Sequence, residues 1–289
     1  MNKHLYITDL DGTLLRGDKT LSVYSRKQLN YLLKEHKIHF TVATARSYNY
    51  VSQVLEGIDV QLPVILKNGA VTADFASGKH INVNHIEEEY WHELVDDIGE
   101  YMLSPFMSTY NGYAENYYYD HVSGEGMQWY VKEMQSGNDK RLVRLPILHA
   151  APAEDKVLSV SVINRLEIIE KVRDELQYRY RNVLHCHFYE ELYHPGWYWA
   201  VFTNKLATKD QAIKLLCEQL GYSIDDTTAF GDSHNDKTML QLVKHKIAVS
   251  NADKRLIEIA TEVIGNNEED SVIKYIEKRI STATYHSPA

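Results

Sequence analysis

The chain has 289 residues, 44% hydrophobic and 25% charged, which is ordinary for a soluble globular protein of one large or two moderate domains. A formal net charge of −9 with no long basic run argues against nucleic acid as a partner, because neutralising phosphates takes a positive face. Two cysteines, Cys186 and Cys217, make no disulfide framework, and no stretch approaches the ~20 apolar residues of a membrane span, so a reducing, cytoplasmic location is expected.

The first third alternates strand and helix. His4–Leu10 is a short apolar run ending in polar residues, a predicted buried strand. Ser22–Lys37 carries Leu29, Leu32 and Leu33 at helical spacing. His39–Ala45 reads as a second strand, Arg46–Glu56 as a second helix with Val51, Val54 and Leu55, and Leu62–Leu66 as a third strand before the turn Asn68-Gly69. Strand–helix–strand–helix–strand predicts a parallel sheet with right-handed crossovers. Residues 71–83, with Ser77-Gly78 between short extended runs, predict a hairpin.

The middle has a different rhythm. It predicts a helix over Ile86–Met102, two strands over Phe106–Tyr119 broken at Asn111-Gly112, and a helix over Gly126–Gln135. A strand over Lys156–Ile163, a helix over Leu166–Tyr180, and strands over Val183–Tyr189 and Trp197–Phe202 follow. The alternating rhythm then returns. Lys209–Leu220 is a helix stopped by Gly221, Thr227–Phe230 a strand, Asn235–Val243 a helix, and Ile247–Val249 a strand. Leu256–Thr261 is a helix, Glu262–Ile264 a strand and Ser271–Arg279 a last helix, with Ser281–Ala289 as a frayed tail. The predicted fold is thus α/β, a Rossmann-like parallel-sheet core over 1–83 and 201–289 with an α+β block inserted at 84–200.

Two acidic clusters carry the chemistry. Asp9 and Asp11 lie at the carboxyl end of the first strand, where open α/β sheets place their ligands, and Gly12 lets the chain turn there. Gly231-Asp232-Ser233-His234-Asn235-Asp236 also follows a short apolar strand and precedes a helix. Turn capping and helix N-capping would account for each cluster separately. A single hard cation held between two strand ends accounts for both together, since Mg²⁺ takes oxygen ligands from one or two carboxylates, water and substrate phosphate. Thr44 ends the second strand just before a helix, where a hydroxyl and backbone N–H groups can hold phosphate oxygens. Lys209 opens its helix, an odd place for a cation on dipole grounds unless it faces an anion.

In this order, Asp9-Leu10-Asp11-Gly12-Thr13, Thr44, Lys209 and Gly231-Asp232-Ser233-His234-Asn235-Asp236 resemble the four-motif signature of the haloacid dehalogenase-like hydrolases. The closest resemblance is to the Cof-type (subfamily IIB) phosphatases, which carry a large α+β (C2-type) cap between the second and third motifs. It spans about residues 3 to 279, and Asn68-Gly69-Ala70 and Asn251-Ala252 match the usual neighbours of those motifs. The resemblance implies a phosphoric monoester hydrolase in which Asp9 is the nucleophile and forms an aspartyl-phosphate. Asp11 would be general acid and then base. Asp9, the Asp11 backbone carbonyl and Asp232 would bind Mg²⁺, and Thr44 and Lys209 would hold the phosphate. Gly12, Thr13, Asn235 and Asp236 would support these groups.

Two positions depart from the pattern. Ala45 stands where relatives often have Gly, and Asp210 follows Lys209 where they often have Gly. Asp210 is therefore a candidate partner for Lys209, and Lys205 a second candidate for its role. The insert is rich in aromatic and histidine residues, among them Tyr110, Tyr113, Tyr117, Trp129, His185, His187, Trp197 and Trp199. Strand packing explains the aromatics better than ligand stacking does, and the histidines lack dependable metal spacing. The expected substrate is a small phosphorylated metabolite, a sugar phosphate by resemblance. The alternatives are a phosphomutase of the same fold and a non-catalytic sugar-phosphate sensor.

Overall fold

A computed structural model of the chain describes residues 4–112, 114–191 and 194–285. Tyr113 and residues 286–289 of the expected tail lie outside the described residues. The chain forms two compact units, residues 1–82 with 208–289, and residues 83–207. The second unit ends at Ala207 rather than at 200, because its last strand runs on to Asn204.

In chain order the elements are β1 (Leu5–Thr8), α1 (Val23–Glu35), β2 (His39–Val42), α2 (Tyr48–Val54), β3 (Val64–Leu66), β4 (Val71–Ala73) and β5 (His80–Val83). Then come α3 (Glu88–Gly99), β6 (Phe106–Tyr110), β7 (Glu115–Tyr119), α4 (Glu125–Ser136), β8 (Leu142–Arg144), β9 (Lys156–Asn164), α5 (Leu166–Arg179), β10 (Leu184–Glu190) and β11 (Tyr198–Asn204). The chain closes with α6 (Lys209–Leu220), β12 (Thr227–Gly231), α7 (Lys237–Leu242), β13 (His245–Val249), α8 (Lys254–Ile257), β14 (Glu262–Ile264) and α9 (Ser271–Tyr285).

In the first unit, strands β14-β13-β12-β1-β2 form a parallel sheet. A parallel bridge from Ala43 to Ile65 brings β3 alongside, and β3 also pairs antiparallel with β4. Every residue of β1 is buried, as expected of a strand covered on both faces. Side chains alternate. Leu5 and Ile7 pack with Ala229, Met239 and Leu240, and with Ile213, Leu216 and Cys217 of α6. Phe230 faces the other way and meets Tyr275 of α9 edge-on, ring centroids 5.4 Å apart. Cys217 is free and buried in the cluster with Leu5 and Ile7, a small hydrophobe in the core.

The second unit has a sheet of order β10-β11-β9-β6-β7-β8, with its own core around Met107, Val160, Phe202, Leu94 and Leu176. Phe106, Tyr119, Trp197 and Trp199 build a further cluster with Met127 and Val131. The strand aromatics are thus packing residues, as alternation implied. No helix among the described residues is long and apolar enough to cross a membrane.

Candidate functional site

The site grows from the end of β1. The Asp9 N–H donates to the Phe230 carbonyl (3.0 Å), extending the β1–β12 ladder by one residue before the chain leaves the sheet. Residues 10–14 then make a wide irregular turn, closed by the Leu15 N–H on the Leu10 carbonyl (2.8 Å). Gly12 sits at φ +74°, and a Cβ there would stand 2.5 Å from Asp232 Oδ2. Glycine serves both needs, the left-handed backbone and the close approach. Thr13 Oγ1 donates to Asp232 Oδ1 (2.8 Å), and Asn251 Nδ2 donates to the Gly12 carbonyl (2.8 Å). The two acidic motifs therefore clasp each other directly.

Lys209 enters from the first residue of α6. Its side chain is fully buried, and Nζ donates to Asp9 Oδ1 and to Asp236 Oδ1, both at 2.6 Å. This explains a lysine at a helix start: it answers two buried carboxylates. Asp210 is not its partner. Asp210 Oδ2 instead accepts from Gln211 Nε2 (3.0 Å). Lys205 is exposed in the second unit, its N–H held by the Val183 carbonyl. Asp236 is buried outright, and its Oδ2 accepts the N–H groups of Asp232 (3.0 Å) and Ser233 (3.1 Å).

Three carboxylates face one ammonium here. Burial pushes the Asp9 carboxyl well above the carboxylate range; Lys209 opposes this, while Asp236 and Asp232 add to it. Burial likewise lifts Asp232, to about 6, helped by Asp236 and resisted by its hydrogen bond from Thr13. Burial disfavours the Lys209 ammonium, but Asp236 and Asp9 outweigh it and hold its pKa above the ordinary value. The cluster carries surplus negative charge that a cation would relieve.

Asp9, Asp232 and Asp236 each offer an oxygen within 4.8 Å of the others'. Both Asp236 oxygens already hold Lys209 and backbone N–H groups. Asp9 Oδ1 accepts from Lys209, and Asp232 Oδ1 accepts from Thr13. An all-oxygen set of carboxylates this close together fits a hard divalent cation such as Mg²⁺.

Thr44 is buried beside this cluster's loop. Its N–H donates to Ile65 (2.9 Å), its carbonyl accepts from Asn68 N–H (2.9 Å), and its Oγ1 accepts from Arg46 N–H (3.2 Å). Asn235 Nδ2 donates to Asn68 Oδ1 (3.0 Å), so Asn235 supports the turn after β3. In that turn Gly69 sits at φ +100°, and a Cβ would fall 2.2 Å from the carbonyl oxygen of Thr208, the residue before Lys209. Asp11, a third exposed, is gripped by Arg46: Nε donates to Oδ2 (2.7 Å) and Nη2 to Oδ1 (3.0 Å). Sequence reasoning missed Arg46 and Asn68 as site residues. Both adjoin recognised motifs, in Thr44-Ala45-Arg46 and Asn68-Gly69, and that adjacency was the available signal.

Residues 6–276 match the family described as haloacid dehalogenase-like hydrolase. The chain belongs to the haloacid dehalogenase-like hydrolases. It is 26% identical over 298 residues to the phosphatase YwpJ of Bacillus subtilis, covering 93% of this chain and 96% of that protein. It is also 26% identical over 294 residues to the 5-amino-6-(5-phospho-D-ribitylamino)uracil phosphatase YwtE of the same organism, covering 94% and 96%. In fold it is similar to a haloacid dehalogenase-like hydrolase from Bacteroides thetaiotaomicron, with a TM-score of 0.77 at 21% identity over 96% of this chain and all of that one. The subclass IIB sugar phosphatase BT4131 superposes with a TM-score of 0.72 at 18% identity, over 96% and 98%. The Cof-type phosphatase branch that the motifs resemble is the branch these relatives occupy, and the chain is an enzyme of that phosphatase class.

Proposed function

We propose that this phosphatase is Mg²⁺-dependent and hydrolyses a small cytoplasmic sugar phosphate through an aspartyl-phosphate on Asp9. The observation that carries the proposal is the meeting of Asp9, Lys209, Asp236 and Asp232, drawn from the ends of β1 and β12 and the start of α6, at one buried point. The first unit is then the catalytic core, and the second the cap that selects the substrate. The name of one relative refers to a phospho-ribityl compound and that of one fold neighbour to a sugar phosphatase, which supports the substrate class.

In this mechanism Thr44 Oγ1 and the Lys209 ammonium receive the phosphoryl oxygens. One Asp9 carboxylate oxygen forms the new bond to phosphorus as the bond to the leaving oxygen breaks, and Asp11 supplies the proton that turns the leaving oxygen into an alcohol. Asp11 then takes a proton from water, whose oxygen attacks the aspartyl-phosphate and releases inorganic phosphate and free Asp9. Mg²⁺, held by Asp9, the Asp11 carbonyl and Asp232, would offset repulsion between carboxylate and phosphate. Lys209, neutralised by Asp9 and Asp236 at rest, keeps Asp9 in one orientation for attack.

A phosphate-release screen over a panel of phosphorylated metabolites, with and without Mg²⁺, tests this. Asp9→Asn is expected to lower turnover by at least about a thousandfold. Normal turnover by that variant would remove the covalent mechanism, and undiminished turnover after full chelation would remove the metal.

A further inference from the structure

The grip of Arg46 on Asp11 does not belong to the mechanism just described; it opposes it. The guanidinium spans the carboxylate, Nε on Oδ2 and Nη2 on Oδ1, so neither oxygen is clear of it. Such a fork fixes the plane of the carboxylate. To serve a leaving alcohol or a water, Asp11 must give up at least one of these bonds. The pair is also placed to be broken. Both side chains are about a third exposed, 36% for Arg46 and 35% for Asp11, so separating them strands no buried charge. The Arg46 guanidinium rests over the Tyr50 ring at 4.7 Å, and its own N–H is tied to Thr44 Oγ1. The arginine is thus anchored beside the hydroxyl assigned above to the phosphate. A phosphoryl group carries more charge and more acceptor oxygens than a carboxylate, and a planar guanidinium suits it well.

We propose that Arg46 is a substrate-operated latch on Asp11. At rest the guanidinium holds Asp11. When a phosphoryl group arrives beside Thr44, the guanidinium transfers to it and Asp11 is released to act on the leaving group. The proposal rests on the phosphatase reading of this same site. It ties the freedom of the proton-transferring residue to occupancy of the phosphate position, so Asp11 is available only when there is an ester to cleave.

A latch makes Asp11 and phosphate compete for one guanidinium, which fixes the sign of a coupling. The test is the affinity of inorganic phosphate, by calorimetry with saturating Mg²⁺, for the wild type, Asp11→Ala, Arg46→Ala and the double variant. With a latch, Asp11→Ala frees the fork and tightens phosphate binding about tenfold, as expected from one charge-assisted contact. In the Arg46→Ala background the same change gains clearly less. If Arg46 only neutralises Asp11, removing Arg46 bares a negative charge, and Asp11→Ala then gains more in that background. An equal or larger gain there overturns the latch. Arg46→Lys, a point charge that cannot span both oxygens, completes the same cycle should Arg46→Ala fold poorly. The two proposals fail differently. A wild type that neither binds phosphate nor cleaves any phosphomonoester overturns the phosphatase mechanism and the latch together. Turnover lost in Asp9→Asn, beside a coupling of the wrong sign, overturns the latch alone.

Discussion

Asp232 shows how one residue's surroundings set a condition on activity. Burial and the neighbouring Asp236 raise its carboxyl to about 6, while Thr13 holds one oxygen. A proton and a cation compete for the other oxygen, so cation affinity is complete above this value and declines as the pH falls through it. Mg²⁺ titrations by calorimetry should therefore give weaker binding at pH 5 than at pH 7.5, and Asp232→Asn should bind weakly at both. The two aspartates of the first motif were told apart in the sequence only by resemblance. In the structure their surroundings separate them: Asp9 is buried against an ammonium, and Asp11 is a third exposed in a guanidinium fork. What the sequence hid was partnership. Asp210, adjacent to Lys209, looked like its natural counter-ion, whereas the partners lie 200 and 27 positions away. A first-turn side chain pointing inward cannot be distinguished from one pointing outward by spacing alone.

At the scale of elements, boundaries follow local hydrogen bonding. The limits of α6 and β14 match their predicted residues, because apolar spacing and a terminal glycine or short β-branched run define them. Helix α9 runs to Tyr285 rather than stopping at Arg279. Ser281 and Thr282 turn their hydroxyls back onto the carbonyls of Glu277 (2.9 Å) and Lys278 (3.1 Å), and so remain inside a helix. Helix α2 begins at Tyr48 rather than at Arg46, because Thr44 to Ser47 are spent on the turn that presents Thr44 and Arg46. Strand β8, only Leu142–Arg144, went unseen because three residues carry no readable alternation. The turn after β3 has an active structural duty. Its Gly69 lies against the Thr208 carbonyl at the entry to α6, so Gly69→Ala must either strain its own backbone or push Lys209 out of place. We expect a loss of about 1–3 kcal/mol in unfolding free energy and a fall in turnover of about a hundredfold from displacement of the ammonium. Chemical denaturation and steady-state rates measured on one preparation check both.

The whole molecule consists of two units with separate cores, one continuous in sequence and one made of two pieces. The continuous unit has a sheet, helices packed on it, and buried residues such as Leu94, Met107, Val172 and Phe202 that form one core. It satisfies what an independently folding domain needs. A fragment of residues 83–207 should therefore melt cooperatively by circular dichroism and give dispersed amide resonances; a non-cooperative melt would show that its core is incomplete. The discontinuous unit behaves otherwise. Strand β1 lies between β2, made soon after it, and β12, made more than two hundred residues later. During synthesis at roughly 5–20 residues per second, one side of β1 stays unpaired for tens of seconds while the insert emerges and folds. Asp9 likewise waits for Lys209 and Asp236, which leave the ribosome well after it. A chain interrupted between the end of the insert and β12 holds a finished insert and only half of the core sheet, so such a truncated product is inert toward phosphate esters and exposes an open strand edge for quality control to recognise.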